Sequence, residues 1–158
     1  MSGSRYTELQ VTTHFSFLRG ASSCEELFAT AAVMGVEALA VVDRNSLAGV
    51  VRAHEAAKTT GVRLVVGCRL DLTEGYSVLV YPTDRPAYSR LCRLLSLGKK
   101  RAGKARCELS WPDLVAYREG LIAVLVPDEA DDDCDASTPP AGRLRRSRLY
   151  GTDPAPPT

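Results

Sequence analysis

The sequence predicts an α/β domain, because short apolar runs alternate with amphipathic stretches along the first 127 residues. Residues 38–43, ALAVVD, form a continuous apolar run of the kind that buried strands have. The stretch before it has the marks of a helix, since Ser23 can cap its start, two glutamates follow in its first turn and Gly35 can end it. Alternation of this kind indicates a largely parallel sheet.

The remaining elements follow the same alternation. A first strand is expected at residues 9–13, and a second helix should begin at Asn45 or Ser46 and end at Gly61. The expected elements after that are a third strand in VRLVVGCRLDL (62–72), a fourth in YSVLVYP (76–82), a helix in PAYSRLCRLLSLGKKR (86–101), a short helix in SWPDLVAY (110–117) and a last strand at 121–126. In the long helix, Tyr88, Leu91, Leu94 and Leu95 have core-facing spacing.

Composition limits the classes of function. A chain of 158 residues that is 45% hydrophobic can bury one core. The chain has 20 basic and 19 acidic residues, so its charges nearly cancel and any binding of a polyanion must rest on a local patch. The five cysteines form no C-x-x-C pair, and neither a signal peptide nor a membrane-span pattern is present, so we expect a soluble, cytoplasmic chain.

The composition changes after Pro127. An acidic block is followed by proline and glycine, an arginine block and more proline, without an apolar period. We therefore expect one domain at residues 1–127 and a disordered tail at 128–158. The abrupt change suggests translation in a shifted frame, and a genuine regulatory tail is the alternative.

Polar residues at the expected strand ends are the first candidates for a site, because chemistry in parallel α/β folds collects there. They are Thr12, Thr13 and His14 after the first strand, Asp43 and Arg44 after the second, and Cys68 and Arg69 in the third. Only His14 and Asp43 are metal-ligand types, and Arg44 would repel a divalent ion. The simpler interpretation is that Asp43 caps a turn and His14 lies on a loop.

A basic cluster closes the long helix: Lys99, Lys100, Arg101, Lys104 and Arg106. Cations at a helix C-terminus complement the macrodipole, which is a sufficient structural reason for them. The functional alternative is a patch that contacts nucleic-acid phosphates without reading sequence. The sequence leaves both open.

Several segments resemble the N-terminal PHP (polymerase and histidinol phosphatase) domain of bacterial C-family DNA polymerases. They are YTELQVTTHFSFLRGAS, EELFATAAVMGVEALAVVDRNSLAGVVRAHEAAKTTGVRLVVGCRLDL, TDRPAYSRLCRLLSLGKKRA, LSWPDLVAY and GLIAVLVP, which together cover residues 5–127. LRGAS and SLAGVVRAH are most similar to the error-prone branch. The resemblance implies a partial, distorted TIM-like (β/α) barrel and, in active members, a zinc or manganese cluster that supports phosphoester hydrolysis.

The same resemblance implies that the metal site is degenerate. The family's H-x-H positions hold Gln10 and Thr12, and three further ligand positions hold Arg19, Arg44 and Arg69. We therefore expect no metal cofactor and no catalytic residue, with His14 and Asp43 as the residual polar site. The arginines would pair with Asp43 and backbone carbonyls, or would form a phosphate-binding pocket.

These expectations favour a truncated, inactive PHP domain whose parent enzyme performs translesion synthesis in DNA replication and repair. Its partners would be the rest of that polymerase or its accessory proteins, with DNA contacted indirectly. An incomplete barrel would also allow self-association through an exposed sheet edge. One alternative is a metal-dependent phosphoesterase with a rearranged site on His14, Asp43 and Glu74, and another is a stand-alone module that binds DNA or a partner.

Overall fold

A computed structural model describes residues 6–126, so the tail expected at 128–158 lies outside the described residues. The elements are β1 (Thr7–Val11), α1 (Cys24–Val33), β2 (Ala38–Val41), α2 (Val50–Thr60), β3 (Arg63–Val66), β4 (Cys68–Asp71), β5 (Ser77–Pro82), α3 (Arg85–Ala102), α4 (Trp111–Ala116) and β6 (Leu121–Val126). The architecture is mixed α/β, as the alternation predicts.

The strands form two three-stranded sheets, and only one of them is parallel. β1, β2 and β3 pair in parallel, whereas β4, β5 and β6 pair antiparallel. The expectation of a largely parallel sheet is therefore wrong for the second half. A parallel crossover needs a dozen or more residues, and the short turn at 72–76 between β4 and β5 cannot supply them. Within residues 6–126 the strand order closes no barrel, so the expected TIM-like ring is not confirmed.

Gly67 divides the segment that we expected to be a single third strand. A Cβ atom at Gly67 would lie 2.7 Å from a methyl carbon of Val42 and 2.8 Å from the ring of Tyr81. The break places β3 in the first sheet and β4 in the second. The two sheets meet where Arg44 and Arg69 form a parallel bridge, at the carboxyl end of β2 and the start of β4.

Side chains cap the start of α1, whereas α2 follows Gly49 without a side-chain cap. Ser23 and Glu26 form the capping box of α1, as the sequence indicates. α2 begins at Val50 rather than at Asn45 or Ser46, because the Asn45 amide donates to the Arg69 carbonyl at 2.8 Å and so belongs to the bridge between the sheets.

Three apolar clusters hold the sheets, and one of them packs Ala40 and Val42 against Leu79 and Tyr81. Phe28 of α1 and Ala53 of α2 pack on the first sheet, and Leu91 and Leu94 of α3 pack on the second. β6 is an edge strand whose apolar side chains are largely exposed. None of the helices among the described residues has the length and apolar character that a membrane span requires.

Candidate functional site

Asp43 lies fully inside the protein, directly after β2. Its Oδ1 accepts hydrogen bonds from the Thr13 amide at 2.9 Å and the Ser16 hydroxyl at 2.7 Å, and its Oδ2 accepts one from the Thr13 hydroxyl at 2.8 Å. The Ser16 hydroxyl in turn accepts the Arg44 amide at 3.0 Å. These neutral donors satisfy the carboxylate and tie the loop after β1 to the end of β2. Asp43 is therefore not the counter-ion of the arginines, contrary to the expectation.

The counter-ion is Asp71, at the end of β4. Its Oδ2 accepts a hydrogen bond from the Arg44 Nε at 2.7 Å and lies 2.7 Å from Nη2 of the same guanidinium. Its Oδ1 accepts a hydrogen bond from the Ser77 hydroxyl at 2.7 Å. The same oxygen lies 3.4 Å from the Arg69 Nε, but this nitrogen does not donate a hydrogen bond to it. Arg69 also donates through Nη2 to the Ser77 hydroxyl oxygen at 3.1 Å. Two cations thus share one carboxylate across the junction of the sheets.

The arginines keep this carboxylate ionised. Partial burial by itself raises the pKa of Asp71, but hydrogen bonds from Arg44 and Ser77 and the charges of Arg44 and Arg69 outweigh it and lower that pKa. The three charged side chains are each less than a third exposed. The Asn45 side-chain oxygen accepts a hydrogen bond from the Asp71 amide at 3.1 Å. We call this group of residues the Asp71 network: Arg44, Asn45, Arg69, Asp71 and Ser77.

The other three residues that the resemblance implied to be altered ligands do not join this network. Gln10 and Arg19 are exposed and Thr12 is half-buried. Within residues 6–126, none of these three side chains makes a hydrogen bond or ion pair. The structure therefore brings Arg44 and Arg69 to a shared partner, and Arg19 stays outside.

The residues of the alternative metal site are used elsewhere. His14 is exposed on a loop, where Nδ1 lies 3.3 Å from the Ser22 carbonyl oxygen and the ring stacks on Phe15 with centroids 4.4 Å apart. Glu74 accepts the Trp111 amide at 2.8 Å at the start of α4. In the described part of the chain, no three His, Cys, Asp or Glu side chains converge as metal ligands. Since guanidinium groups cannot coordinate a cation, Arg19, Arg44 and Arg69 do not fit as metal ligands.

An open groove of about 480 Å³ lies beside the Asp71 network. It is lined by Phe15, Arg44, Asn45, Ser46, Lys99, Gly103, Ala105, Arg106 and Cys107. Two members of the basic cluster, Lys99 and Arg106, line it. A third member, Arg101, instead pairs with Asp113 at 2.6 Å, and this contact lowers the pKa of Asp113 to about 2.

Sequence reasoning missed the key acid of this site. Asp71 follows Arg69 by two residues in β4, so strand periodicity places both side chains on one face of the strand. That spacing was the available signal. The pairing of the Thr13 and Ser16 hydroxyls with Asp43 has no comparable signal, because these residues are 30 and 27 positions away from Asp43 in the sequence.

Comparison with known proteins gives a consistent family. The sequence profile of the family described as PHP domain matches residues 8–146. The error-prone DNA polymerase 1 of Agrobacterium fabrum is 66% identical over 155 residues, which are 98% of this chain and 14% of that polymerase. The error-prone DNA polymerase 2 of Rhizobium meliloti is 72% identical over 146 residues, or 92% of this chain and 13% of that one. The chain thus spans a small fraction of the length of these relatives.

Solved structures share the fold at low identity. A protein from Bifidobacterium adolescentis, provisionally described as a metal-dependent phosphoesterase, superposes with a TM-score of 0.52 at 17% identity, covering 73% of this chain and 44% of that one. An amidohydrolase from Chromobacterium violaceum, described with bound sulfate and no metal, gives 0.51 at 22% identity, covering 60% and 33%. At such identities the likeness concerns the fold alone.

Proposed function

The chain belongs to the PHP domain family, and from this we propose that it is the N-terminal PHP region of an error-prone DNA polymerase. Identities of 66% and 72% to such polymerases, over nearly the whole chain, support the proposal. In this proposal the chain serves translesion synthesis in the cytoplasm as a scaffold. Nucleotidyl transfer needs metal-binding carboxylates, and we place these in the remaining part of the polymerase.

We further propose that the Asp71 network replaces a metal centre as a structural element. The observation that carries this proposal is that Arg44 and Arg69, at two positions where the resemblance places metal ligands, both contact Asp71. A metal cluster joins neighbouring strands through shared ligands, and here shared ion pairs join β2 to β4. The chain would then be a PHP domain without phosphoesterase activity of its own.

Metal removal and addition test this role. We expect the thermal unfolding midpoint to be the same with EDTA, Zn²⁺ or Mn²⁺, and equilibrium dialysis to find no tightly held ion. Arg44→Met and Arg69→Met should each lower the free energy of unfolding by about 1–3 kcal/mol, because each leaves Asp71 with one cation fewer. Arg19→Met is the matched control and should change little, since Arg19 is exposed and makes no ion pair with any residue from 6 to 126.

Hydrolysis of a chromogenic phosphodiester tests whether the chain is instead a metal-dependent phosphoesterase with a rearranged site. We expect no Mn²⁺-stimulated hydrolysis. Hydrolysis that needed Mn²⁺ and disappeared in Asp43→Ala, with the folded state intact by circular dichroism, would replace our proposal with the metal-dependent enzyme. The fold of the Bifidobacterium protein is the reason to run this assay.

The exposed edge of the second sheet supports a docking role toward the rest of the polymerase. Ile122, Val124 and Leu125 of β6 are about half exposed or more. They adjoin an apolar groove of about 440 Å³ lined by residues that include Trp111 and Leu121. We propose that the remaining polymerase covers this surface, and that the isolated chain self-associates through it.

Sedimentation velocity tests the self-association. The sedimentation coefficient of the wild-type chain should rise with concentration, and Ile122→Lys should suppress this rise. Val33→Lys is the control, because Val33 is 90% exposed on α1, in the layer that packs on the other sheet. A wild-type chain that stayed monomeric at all concentrations would contradict the proposal.

Membership in a polymerase has a separate test. Sequencing the DNA beyond codon 158 and translating all three frames should reveal polymerase segments. Their absence from every frame would contradict the polymerase assignment and would leave the family assignment unchanged.

A further inference from the structure

The groove beside the Asp71 network has an unusual charge composition. Three cationic side chains line it, from Arg44, Lys99 and Arg106, and no carboxylate does. The side chains of Lys99 and Arg106 are exposed and make no ion pair or hydrogen bond within residues 6–126. Lys99 and Arg106 therefore bring to the groove positive charge that the described residues leave uncompensated, although the whole chain carries a net charge of only +1.

Arg44 reaches the groove with part of its donor set unused. Its Nε and Nη2 contact Asp71, and its Nη1 has no partner among the described residues. Asp71 thus holds the guanidinium of a residue that lines the groove. A fixed guanidinium loses little entropy when it binds an anion, and its fork suits phosphate oxygens.

The groove also has an aromatic wall. Phe15 lines it with 37% of its surface exposed, and the ring of His14 stacks against Phe15. Asn45 and Ser46 also line the groove. Adjacent cations and an exposed aromatic ring are the combination by which proteins hold nucleotides, with the phosphate on the cations and the base on the ring.

We propose that this groove binds the phosphate and base of a nucleotide, either free or within a single strand, without a metal ion. Arg44, Lys99 and Arg106 contact the phosphate, and Phe15 stacks on the base. A volume of about 480 Å³ is within the range of small-ligand sites. This binding goes beyond the scaffold role, and its test does not depend on the polymerase assignment.

Neighbouring residues separate this site from diffuse attraction by the basic cluster. Lys100 follows Lys99 directly in α3 and is equally charged, but it does not line the groove. Phe17 lies on the same loop as Phe15 and is 85% exposed, also outside the groove. Each proposed contact therefore has a matched control nearby.

The experiment measures fluorescence anisotropy of a 3′-labelled, 5′-phosphorylated oligothymidylate of about ten nucleotides with the full 158-residue chain in EDTA. We expect binding at low salt, with a slope of log K against log salt of about −2, because three cations each contribute about 0.7 on a single strand. Lys99→Ala and Arg106→Ala should each weaken binding about tenfold, and Phe15→Leu should weaken it severalfold. Lys100→Ala and Phe17→Leu should each change it less than about twofold, and circular dichroism confirms that every variant is folded.

Competitors identify the form of the ligand. Displacement by dTMP at concentrations where thymidine is inert supports a nucleotide site, and displacement only by oligonucleotides supports a single-strand site. Binding that is absent at low salt overturns the proposal. Equal losses in Lys99→Ala and Lys100→Ala overturn it in favour of diffuse attraction, and thymidine competing as well as dTMP overturns the phosphate contact.

Discussion

Replacing Asp71 with asparagine should destabilise the protein, because it removes the counter-ion that Arg44 and Arg69 share. Asparagine keeps the size of the side chain and can still contact Ser77, but it leaves Arg44 and Arg69 without their shared counter-ion. Removing one partner of a buried ion pair costs about 3–5 kcal/mol. Because these side chains are 28–29% exposed, solvent screens part of this loss, and we expect about 2–3 kcal/mol.

Urea unfolding of the full chain measures this change. For a small domain, a loss of about 2–3 kcal/mol lowers the midpoint by about 1–2 M. Glu55→Gln is the control, since it removes the same charge from an exposed position on α2. If Asp71→Asn stayed within about 0.5 kcal/mol of the wild type, the network would not join the sheets. A double-mutant cycle of Asp71→Asn with Arg44→Gln should give a coupling energy above about 1 kcal/mol.

Three further predictions follow from the described contacts. Asp43→Asn should cost about 2–3 kcal/mol in urea unfolding and should speed proteolysis of the loop after β1, because its carboxylate accepts that loop's amide and two hydroxyls. Gly67→Ala should cost about 1–3 kcal/mol, since its Cβ would lie within 3.0 Å of two neighbouring side chains. The pKa of Asp113 is lowered from 3.8 to about 2, so its contact with Arg101 stabilises the fold above the higher value and is lost as pH falls through the lower one. Asp113→Asn should therefore remove most of the stability that the wild type loses in that pH window. We expect this free energy to be about 1 kcal/mol, because Arg101 is half exposed.

The identity of most elements could be predicted from the sequence because their signals are local. Ser23 and Glu26 are three residues apart, and the capping box that they form needs no tertiary partner. The continuous apolar run at β2 is also a local signal, because a strand buried on both faces is apolar throughout.

The direction of the second sheet was mispredicted although the sequence held the reason. The alternation of strands and helices suggested parallel pairing, but a turn of residues 72–76 with Gly75 at φ +91° can only return the chain antiparallel. Loop length should have overruled the pattern. The break at Gly67 is different, because its cause is the close approach of Val42 and Tyr81, which are distant in sequence.

The candidate site, like the fold, could be predicted from the sequence only in part. The resemblance identified Arg44 and Arg69 as altered positions, yet the residue that pairs with them, Asp71, was not among the candidates. Antiparallel pairing sets Asp71 opposite Ser77, and this placement depends on the sheet direction that was mispredicted. The Arg69–Asp71 spacing within β4 was a separate signal that did not depend on the sheet direction, whereas the sequence expectation paired the arginines with Asp43.

The charge balance of the Asp71 network links the two proposed roles of this region. A divalent cluster needs several anionic ligands, whereas two guanidinium groups can be held by one carboxylate and a hydroxyl. Two cations and one anion leave an excess of one positive charge, and Arg44 lines the groove together with Lys99 and Arg106. A residue that joins the sheets can thus also bind a phosphate. Asp71→Asn separates these roles, because it should destabilise the fold yet increase the positive charge at the groove. At temperatures where the variant remains folded, nucleotide affinity should therefore not fall in proportion to stability.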